Sequence, residues 1–319
     1  MKAAAFSLVV LTLNVSGPRR LRQGWPTRRE AIASRLKAEG ADASAFQEIW
    51  RSEDLAALGE AAGHANRALD RKLGLAVTSR LPIESFVTRD LGEGYGALRA
   101  RLKAGKSEID LYSTRLEPGE GPAAARRRGQ IFRLAEFVRA ESSTRPFVLL
   151  GDLGVGADER DSALLLDLIE GRDLCVFHGD EVCGRTLGDR RVDYAVIPYS
   201  SRPPRENARA EFTDLLPDEE AAGALHFGLR VRLDAGFPRL KPAASPPGRD
   251  EALAAISDAL EEAVAEDVRR LAEVGWIPFF GARQAAAAQD DITRLTALGE
   301  EVHTARLRGA KPEAPTIPE

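Results

Sequence analysis

A carboxylate that ends an apolar run is the first candidate for chemistry in this sequence. The run FVLLGD begins at Phe147 and ends at Asp152. A buried strand that finishes on Gly-Asp can deliver one carboxylate to the rim of its sheet before the chain turns. The same residues also fit an ordinary turn, in which Asp152 accepts hydrogen bonds from its own backbone. The neighbouring runs favour the first interpretation.

Six other short runs accompany FVLLGDLGV along the chain. They are LTLNVSG from Leu11, FQEIW from Phe46, GLAVTSRLPI from Gly74, DLYSTRL from Asp110, RRVDYAVIP from Arg191 and HFGLRVRL from His226. In this order they resemble the endonuclease/exonuclease/phosphatase superfamily, which includes exonuclease III, pancreatic deoxyribonuclease and neutral sphingomyelinases. The resemblance covers residues 6–235. It implies an α/β fold with a two-sheet β-sandwich flanked by helices.

The resemblance also implies a chemistry, the hydrolysis of a phosphoester by in-line attack of water beside a divalent cation. In this chain, the resemblance implies that Glu48 is the main ligand of Mg²⁺, with Mn²⁺ as the alternative ion. It implies that Asn14 is a polar group that lies at the metal, as a second ligand, and at the phosphate. His226 becomes the general base, with Asp193 holding its other ring nitrogen. Asp152 completes the predicted catalytic set.

Three positions depart from the usual pattern of the superfamily. Arg115 stands where Thr-His-Leu would place a histidine, and Gly154 stands where Gly-Asp-x-Asn would place an asparagine. Leu225 directly precedes His226, where Ser-Asp would be expected. Arg115 cannot shuttle a proton, because its guanidinium stays charged, but it can bind a substrate phosphate through two hydrogen bonds. Loss of one positioned polar group typically costs about 10² to 10³ in rate.

Two functions therefore remain open from the sequence. The first is a Mg²⁺-dependent phosphodiesterase or phosphatase with impaired activity. The second is a non-catalytic protein that binds a phosphoester or a partner in the same groove. For the enzyme, the phosphodiesterase class is preferred. A phosphoester-containing ligand is expected for both functions.

The composition predicts a folded chain without general affinity for polyanions. Its 319 residues, 44% of them hydrophobic, suffice for one large α/β domain and an appendage. The net charge of −4 gives no overall attraction to nucleic acid or anionic lipid. Nucleic-acid binding is left undecided and would require a local basic patch, for which the arginine-rich stretches at 19–29, 126–128 and 190–191 are candidates.

Strand ends are expected to position the site. A strand at 5–13 would end on Asn14, and a short strand at 43–46 would present Glu48. Between these strands, Thr27 is expected to cap a helix that runs to residue 37 or 38. A second helix at 121–140 would bury an apolar stripe and leave residues 126–128 on its solvent side.

The predicted main domain spans residues 1–235. Residues 236–250 are rich in proline and predict a linker. Residues 251–310 predict a helical appendage of two amphipathic helices, which would dock either on the main domain or on a partner, and residues 311–319 predict a disordered tail. No transmembrane segment is expected, because no apolar stretch approaches the length of about 20 residues that a bilayer requires.

Cys175 and Cys183 are the only cysteines. Their spacing allows one small loop bridge, but free thiols are expected because nothing else suggests export. A zinc site with His178 is disfavoured, since a fourth ligand is not evident. The apolar N-terminus continues into LTLNVSG without a small-residue cleavage site, so a cytoplasmic location is expected.

Overall fold

The computed structural model describes most of the predicted main domain. The described residues are 7–18, 24–105, 107–143, 145–155, 160–169, 171–177, 180–181, 183, 185–187, 190–198, 208–213 and 226–234. The predicted linker, helical appendage and tail lie outside them, as do His178 and Leu225.

One six-stranded sheet carries the N-terminal half of the site. Its strands are β1 (Ser7–Asn14), β2 (Ala43–Gln47), β3 (Asn66–Asp70), β4 (Leu75–Ser79), β13 (Ala208–Thr213) and β14 (Gly228–Asp234). Their spatial order is β13-β14-β1-β2-β4-β3. Strands β1 and β2 are parallel, with Asn14 opposite Gln47, whereas β14 is antiparallel to β1. The chain therefore leaves β1 and β2 at the same edge of this sheet.

A second six-stranded sheet packs against the first. Its strands are β5 (Ile83–Gly92), β6 (Tyr95–Ala104), β7 (Ser107–Arg115), β8 (Phe147–Asp152), β9 (Gly171–Asp173) and β12 (Asp193–Pro198). The order is β5-β6-β7-β8-β12-β9, and β7 and β8 form its parallel pair. Two short strands, β10 (Val176–Phe177) and β11 (Asp180–Glu181), form a separate ladder. The predicted two-sheet sandwich is confirmed.

Within the described residues, four helices cover the outer faces of the sheets. They are α1 (Trp25–Glu39), α2 (Ser52–Ala61), α3 (Pro122–Ser142) and α4 (Arg160–Leu168). Helix α1 starts three residues earlier than expected, since its N-cap is Gly24 at φ 88°. It has no side-chain cap, so the capping role predicted for Thr27 is wrong. The solvent-side placement of residues 126–128 is also wrong for Arg127, which is buried and pairs with Asp161 of α4 at 2.9 Å.

Alternation along the strands divides the apolar side chains among three layers. In β8, Val148 and Leu150 pack in the core between the sheets, whereas Phe147 and Leu149 face α3 and α4. A third cluster lies between the first sheet and helices α1 and α2. Burying one such aliphatic or aromatic side chain contributes about 1.5–3 kcal/mol. A strand buried on both faces explains why FVLL is apolar without interruption.

The two cysteines are joined, so the expectation of free thiols is wrong. Cys175 and Cys183 form a disulfide with their Cα atoms 5.0 Å apart. The ladder of β10 and β11 folds the intervening chain back and brings the two residues together. The cytoplasmic location stays a prediction, and the disulfide does not favour it, because disulfides are rare in cytosolic proteins. None of the helices in the described part of the chain has the length and apolar character needed to cross a bilayer.

Candidate active site

The ends of both parallel strand pairs meet at one edge of the sandwich. Asn14 is the last residue of β1, and Glu48 directly follows β2. Asp152 is the last residue of β8, and it lies opposite Asp193, the first residue of β12. His226 precedes β14 by two residues. These five of the six predicted site residues are therefore brought together by strand order and register, and the sixth, Arg115, ends β7.

The side-chain amide of Asn14 is the centre of this cluster. Its Nδ2 donates to Glu48 Oε1 at 3.1 Å and to Asp152 Oδ2 at 3.0 Å. The same nitrogen lies 3.4 Å from His226 Nε2. Its Oδ1 accepts a hydrogen bond from the backbone N–H of Ser16 at 2.9 Å, which fixes the orientation of the amide. Asn14 thus turns its nitrogen, and not its oxygen, toward the two carboxylates.

His226 and Asp193 form a buried pair. His226 Nδ1 lies 2.8 Å from Asp193 Oδ2. Burial by itself lowers the pKa of His226, but the charge and hydrogen bond of Asp193, followed by the charges of Asp152 and Glu48, raise this pKa to about 9. Thr186 orients the start of β12, because its hydroxyl oxygen accepts hydrogen bonds from the backbone N–H groups of Val192 and Asp193 at 3.0 and 3.1 Å. When the ring is neutral, the contact at Nδ1 sets its tautomer.

Asp152 combines the two interpretations that its sequence allowed. Its Oδ1 accepts a hydrogen bond from the N–H of Gly154 at 2.8 Å, as a turn residue would, while its Oδ2 faces Asn14 and lies 3.7 Å from His226 Nε2. Burial raises the pKa of Asp152, and the charge of His226 opposes this shift. The preceding Gly151 is required by packing, since a Cβ there would lie 2.0 Å from the carbonyl oxygen of Thr114.

Arg115 reaches the cluster from the end of β7. Its Nη2 lies 3.2 Å from Glu48 Oε1, and its guanidinium stacks on the ring of Tyr95, 4.8 Å from the centroid. Sequence reasoning missed Tyr95. No sequence signal could have found it, because Tyr95 reaches the site through the pairing of the neighbouring Gly96 with Arg115, which depends on strand register. The Nε of Arg115 is buried and makes no hydrogen bond.

A second arginine approaches Glu48 from α1. Arg28 Nη2 donates to the carbonyl oxygen of Ser16 at 2.6 Å, and its guanidinium lies 5.0 Å from the centroid of the Trp25 ring. Burial lowers the pKa of Arg28, and the charge of Glu48 opposes this shift. The sequence showed Arg28 only as one member of an arginine-rich stretch.

The turn after β8 has no room for the asparagine that the superfamily pattern places at position 154. Gly154 has φ 64°, and a Cβ there would lie 2.8 Å from the backbone N and Cα of Pro118. Backbone atoms cannot yield as the end of a flexible side chain can. The loop that contains Pro118 therefore fills the space that a side chain would need.

The site offers few oxygen donors for a divalent cation. No group of three or more His, Cys, Asp or Glu side chains within the described ranges is arranged to hold a metal. Mg²⁺, however, often binds proteins through only one or two carboxylates and keeps its waters. Glu48 fits such a site, because its contacts with Asn14 and Arg115 both use Oε1. Asn14 would have to turn its oxygen away from Ser16 to ligate a metal, so its role as a ligand stays a prediction.

A two-sheet α/β sandwich with polar residues gathered at its strand ends defines the structural class. A family model described as the Endonuclease/Exonuclease/phosphatase family matches residues 11–205, and the chain belongs to this family. A search among curated protein sequences found no match.

Solved structures share the fold at low sequence identity. TDP2 from D. rerio, complexed with a single strand DNA product, is 13% identical over 71% of this chain and 98% of its own, with a TM-score of 0.59. Sphingomyelinase C from Streptomyces griseocarneus is 18% identical over 72% and 99%, with a TM-score of 0.54. SmcL is 13% identical over 72% and 99%, with a TM-score of 0.57. Identities in this range show the fold alone.

Proposed function

We propose that the protein is a divalent-cation-dependent phosphoester hydrolase of the phosphodiesterase class with weakened catalysis. The observation that carries this proposal is the contact of one amide nitrogen, Asn14 Nδ2, with Glu48, Asp152 and His226. These residues are 34, 138 and 212 positions from Asn14 in the sequence. Structural stability alone does not require such a set of buried polar groups at the ends of the strands.

Each group has a distinct role in the proposed reaction. Glu48 would hold the cation, which supplies charge neutralisation at the phosphate when it is bound. Asn14 would keep the carboxylates of Glu48 and Asp152 at a fixed separation. His226 would take the proton of the attacking water in its neutral form, with Asp193 stabilising the imidazolium that results. Because the pKa of His226 is raised to about 9, this neutral form becomes abundant only in alkaline solution. Arg115 would bind a non-bridging phosphate oxygen through its terminal guanidinium N–H groups.

The substrate class is supported by two of the fold neighbours. One is TDP2, whose structure contains a single strand DNA product, and another is a sphingomyelinase. Both names are consistent with a phosphodiester substrate, and they leave nucleic acid and lipid open for this chain. With a net charge of −4, the chain as a whole does not favour polyanions, so the arginines near Glu48 would have to provide local attraction.

A second candidate is a non-catalytic phosphoester-binding protein. It is favoured by two features of the site, the guanidinium of Arg115 where a proton-transferring histidine is usual, and the close approach of Pro118 to Gly154. The first feature removes a proton shuttle. The second excludes an amide that would orient the nucleophile. Neither feature prevents the guanidinium of Arg115 from binding an anion.

Hydrolysis of bis-p-nitrophenyl phosphate with Mg²⁺ or Mn²⁺ tests the proposal. We expect slow turnover, which EDTA abolishes. The variant His226→Gln should lower the rate by about 10² to 10⁴, and Glu48→Gln should abolish turnover. Glu53→Gln is the matched control, because Glu53 lies in α2 and pairs with Arg51 outside the site. Equal rates in all variants would contradict the proposal. Saturable binding of the ester without metal-dependent turnover would favour the second candidate.

A further inference from the structure

The carboxylate proposed to bind a divalent cation already has a cationic partner from the chain itself. Arg115 Nη2 lies 3.2 Å from Glu48 Oε1. The two side chains retain 19% and 24% of their exposure, so the pair is partly open to solvent and does not lie in the core. Glu48 follows β2 with φ 60°, a backbone conformation that few non-glycine residues adopt and that is often found at functional sites.

Arg115 is also held independently of Glu48. Its guanidinium stacks on the ring of Tyr95, and its Nε is buried without a hydrogen-bond partner. Stacking on an aromatic face leaves the N–H donors at the edge of a guanidinium uncovered. In Arg115 the donors that can bind an anion are those of the two Nη atoms, because Nε is buried. Loss of the contact with Glu48 would therefore leave the guanidinium attached to Tyr95 with unused donors.

We propose that Arg115 is the resident counter-ion of Glu48, and that a divalent cation binds Glu48 by displacing this guanidinium, which then binds the phosphate of the ligand. This inference rests on the proposed function, because it assumes that the cation binds at Glu48. It adds a competition between Arg115 and the cation, and it makes cation binding and phosphate binding mutually favourable.

Electrostatics give the direction of the effect. Two positive charges near one carboxylate repel each other, and at about 4 Å in the partly screened environment of a protein surface this repulsion amounts to several kcal/mol per pair of unit charges. Arg28 adds a further positive charge near Glu48 and interacts with its carboxylate. A divalent cation therefore meets a carboxylate that is already neutralised. Removal of the Arg115 charge should strengthen cation binding, although it also removes a predicted phosphate ligand.

The coupling follows from the same displacement. When the cation binds Glu48, the guanidinium of Arg115 loses its carboxylate partner. Binding an anion then gives it a new partner of opposite charge. By thermodynamic linkage, a phosphate bound to Arg115 must then increase the affinity of Glu48 for the cation. Without ligands, Glu48 and Arg115 would neutralise each other. Their charges would become available only when the cation and the phosphate are both present.

Calorimetric titration of the full chain with Mg²⁺ and with Mn²⁺, in a buffer free of phosphate, tests the competition. We expect Arg115→Gln to lower the dissociation constant of the cation at least about tenfold. Arg115→Met removes the same charge and serves if the Gln variant does not melt cooperatively. Arg80→Gln is the matched control, because Arg80 pairs with Asp42 at 3.1 Å before β2, at the opposite end of the strand that precedes Glu48. It removes one positive charge and should leave the dissociation constant within about twofold of the parent value.

The results separate the two proposals. If Glu48→Gln binds the cation as the parent does, the cation does not bind at Glu48, and both the proposed metal site and the competition are overturned. If Glu48→Gln loses binding but both Arg115 variants bind no more tightly than the parent, only the competition is overturned. Equal tightening in Arg80→Gln and Arg115→Gln would assign the effect to overall charge and would also overturn it. Tightening confined to the Arg115 variants supports it.

Discussion

Asn14 donates a hydrogen bond to Asp152 across the boundary between the two sheets, with Nδ2 and Oδ2 3.0 Å apart. Asn14 ends β1 of the first sheet and Asp152 ends β8 of the second. The bond therefore joins residues 138 positions apart and fixes the separation of the sheets at the site. It also stabilises the charged form of the buried Asp152 carboxylate, whose other oxygen accepts a hydrogen bond from the N–H of Gly154.

Asn14→Asp should destabilise the fold, because it replaces the shared amide donor by a carboxylate beside Glu48 and Asp152. An unsatisfied or repelled buried group costs about 1–3 kcal/mol. Urea denaturation at pH 7 measures the difference. Asn66→Asp is the control, since Asn66 makes one hydrogen bond to the carbonyl oxygen of Ser79 at the edge of the sheet. A loss no larger in Asn14→Asp than in Asn66→Asp would contradict the central role of Asn14.

The free energy of unfolding should decrease as pH rises from 6.5 to 9. His226 has a pKa raised from 6.5 to about 9, so the folded state binds the proton more tightly than the unfolded state. This stabilisation is fully present below pH 6.5 and is lost as pH rises through 9. At about 1.4 kcal/mol per pKa unit, it amounts to about 3 kcal/mol.

Urea titrations at several pH values, without divalent cations, measure this dependence. His226→Gln should flatten it between pH 6.5 and 9, because the titrating group is then absent. Parent and variant curves that stay parallel across this range would show that the imidazole is not preferentially protonated in the folded state.

The disulfide should stabilise the fold by closing a short loop in the unfolded chain. For cysteines eight positions apart, the loop-entropy relation gives about 2.5 kcal/mol. The double variant Cys175→Ser, Cys183→Ser should lose this amount in urea denaturation, and dithiothreitol should produce the same loss in the parent. The double variant is itself the control, because its stability should not respond to dithiothreitol. Detection of two free thiols in the native, unreduced protein would disprove the bond.

Gly154→Asn should destabilise the protein, because its Cβ would lie 2.8 Å from backbone atoms of Pro118. A loss of at least about 2 kcal/mol is expected from overpacking against the backbone. Gly63→Asn is the matched control, since Gly63 has φ 72° and nothing within 4 Å of its Cβ position. Both variants place an asparagine at a positive φ, but only Gly154→Asn adds the clash with Pro118. The difference between their melting temperatures therefore measures the clash. Equal melting temperatures would show that the loop at Pro118 moves easily.

The clash also changes how the superfamily pattern could be restored. Arg115→His replaces one side chain by a smaller one and is compatible with the groove. Gly154→Asn is not, unless the loop at Pro118 is altered with it. The absence of the asparagine is thus built into the path of the backbone, a feature that the sequence did not reveal.

The sequence by itself determined the fold class and the positions that meet at the strand edge. Continuous apolar runs that end on Asn14 or Asp152 predict buried strands that present polar groups at their ends, and β1 and β8 follow this prediction. Strand identity is a local property, since it depends on the pattern of neighbouring residues. The order of the short motifs then indicated the family, which the match over residues 11–205 shows.

Only the tertiary structure decided how the site is neutralised and closed. The pairing of Arg115 with Glu48, the stacking on Tyr95 and the approach of Pro118 to Gly154 all join segments from different strands or loops. Their distances depend on sheet register and on backbone paths over many residues, which no local pattern specifies. For the same reason, the spacing of Cys175 and Cys183 left their bond open until the ladder between them was placed.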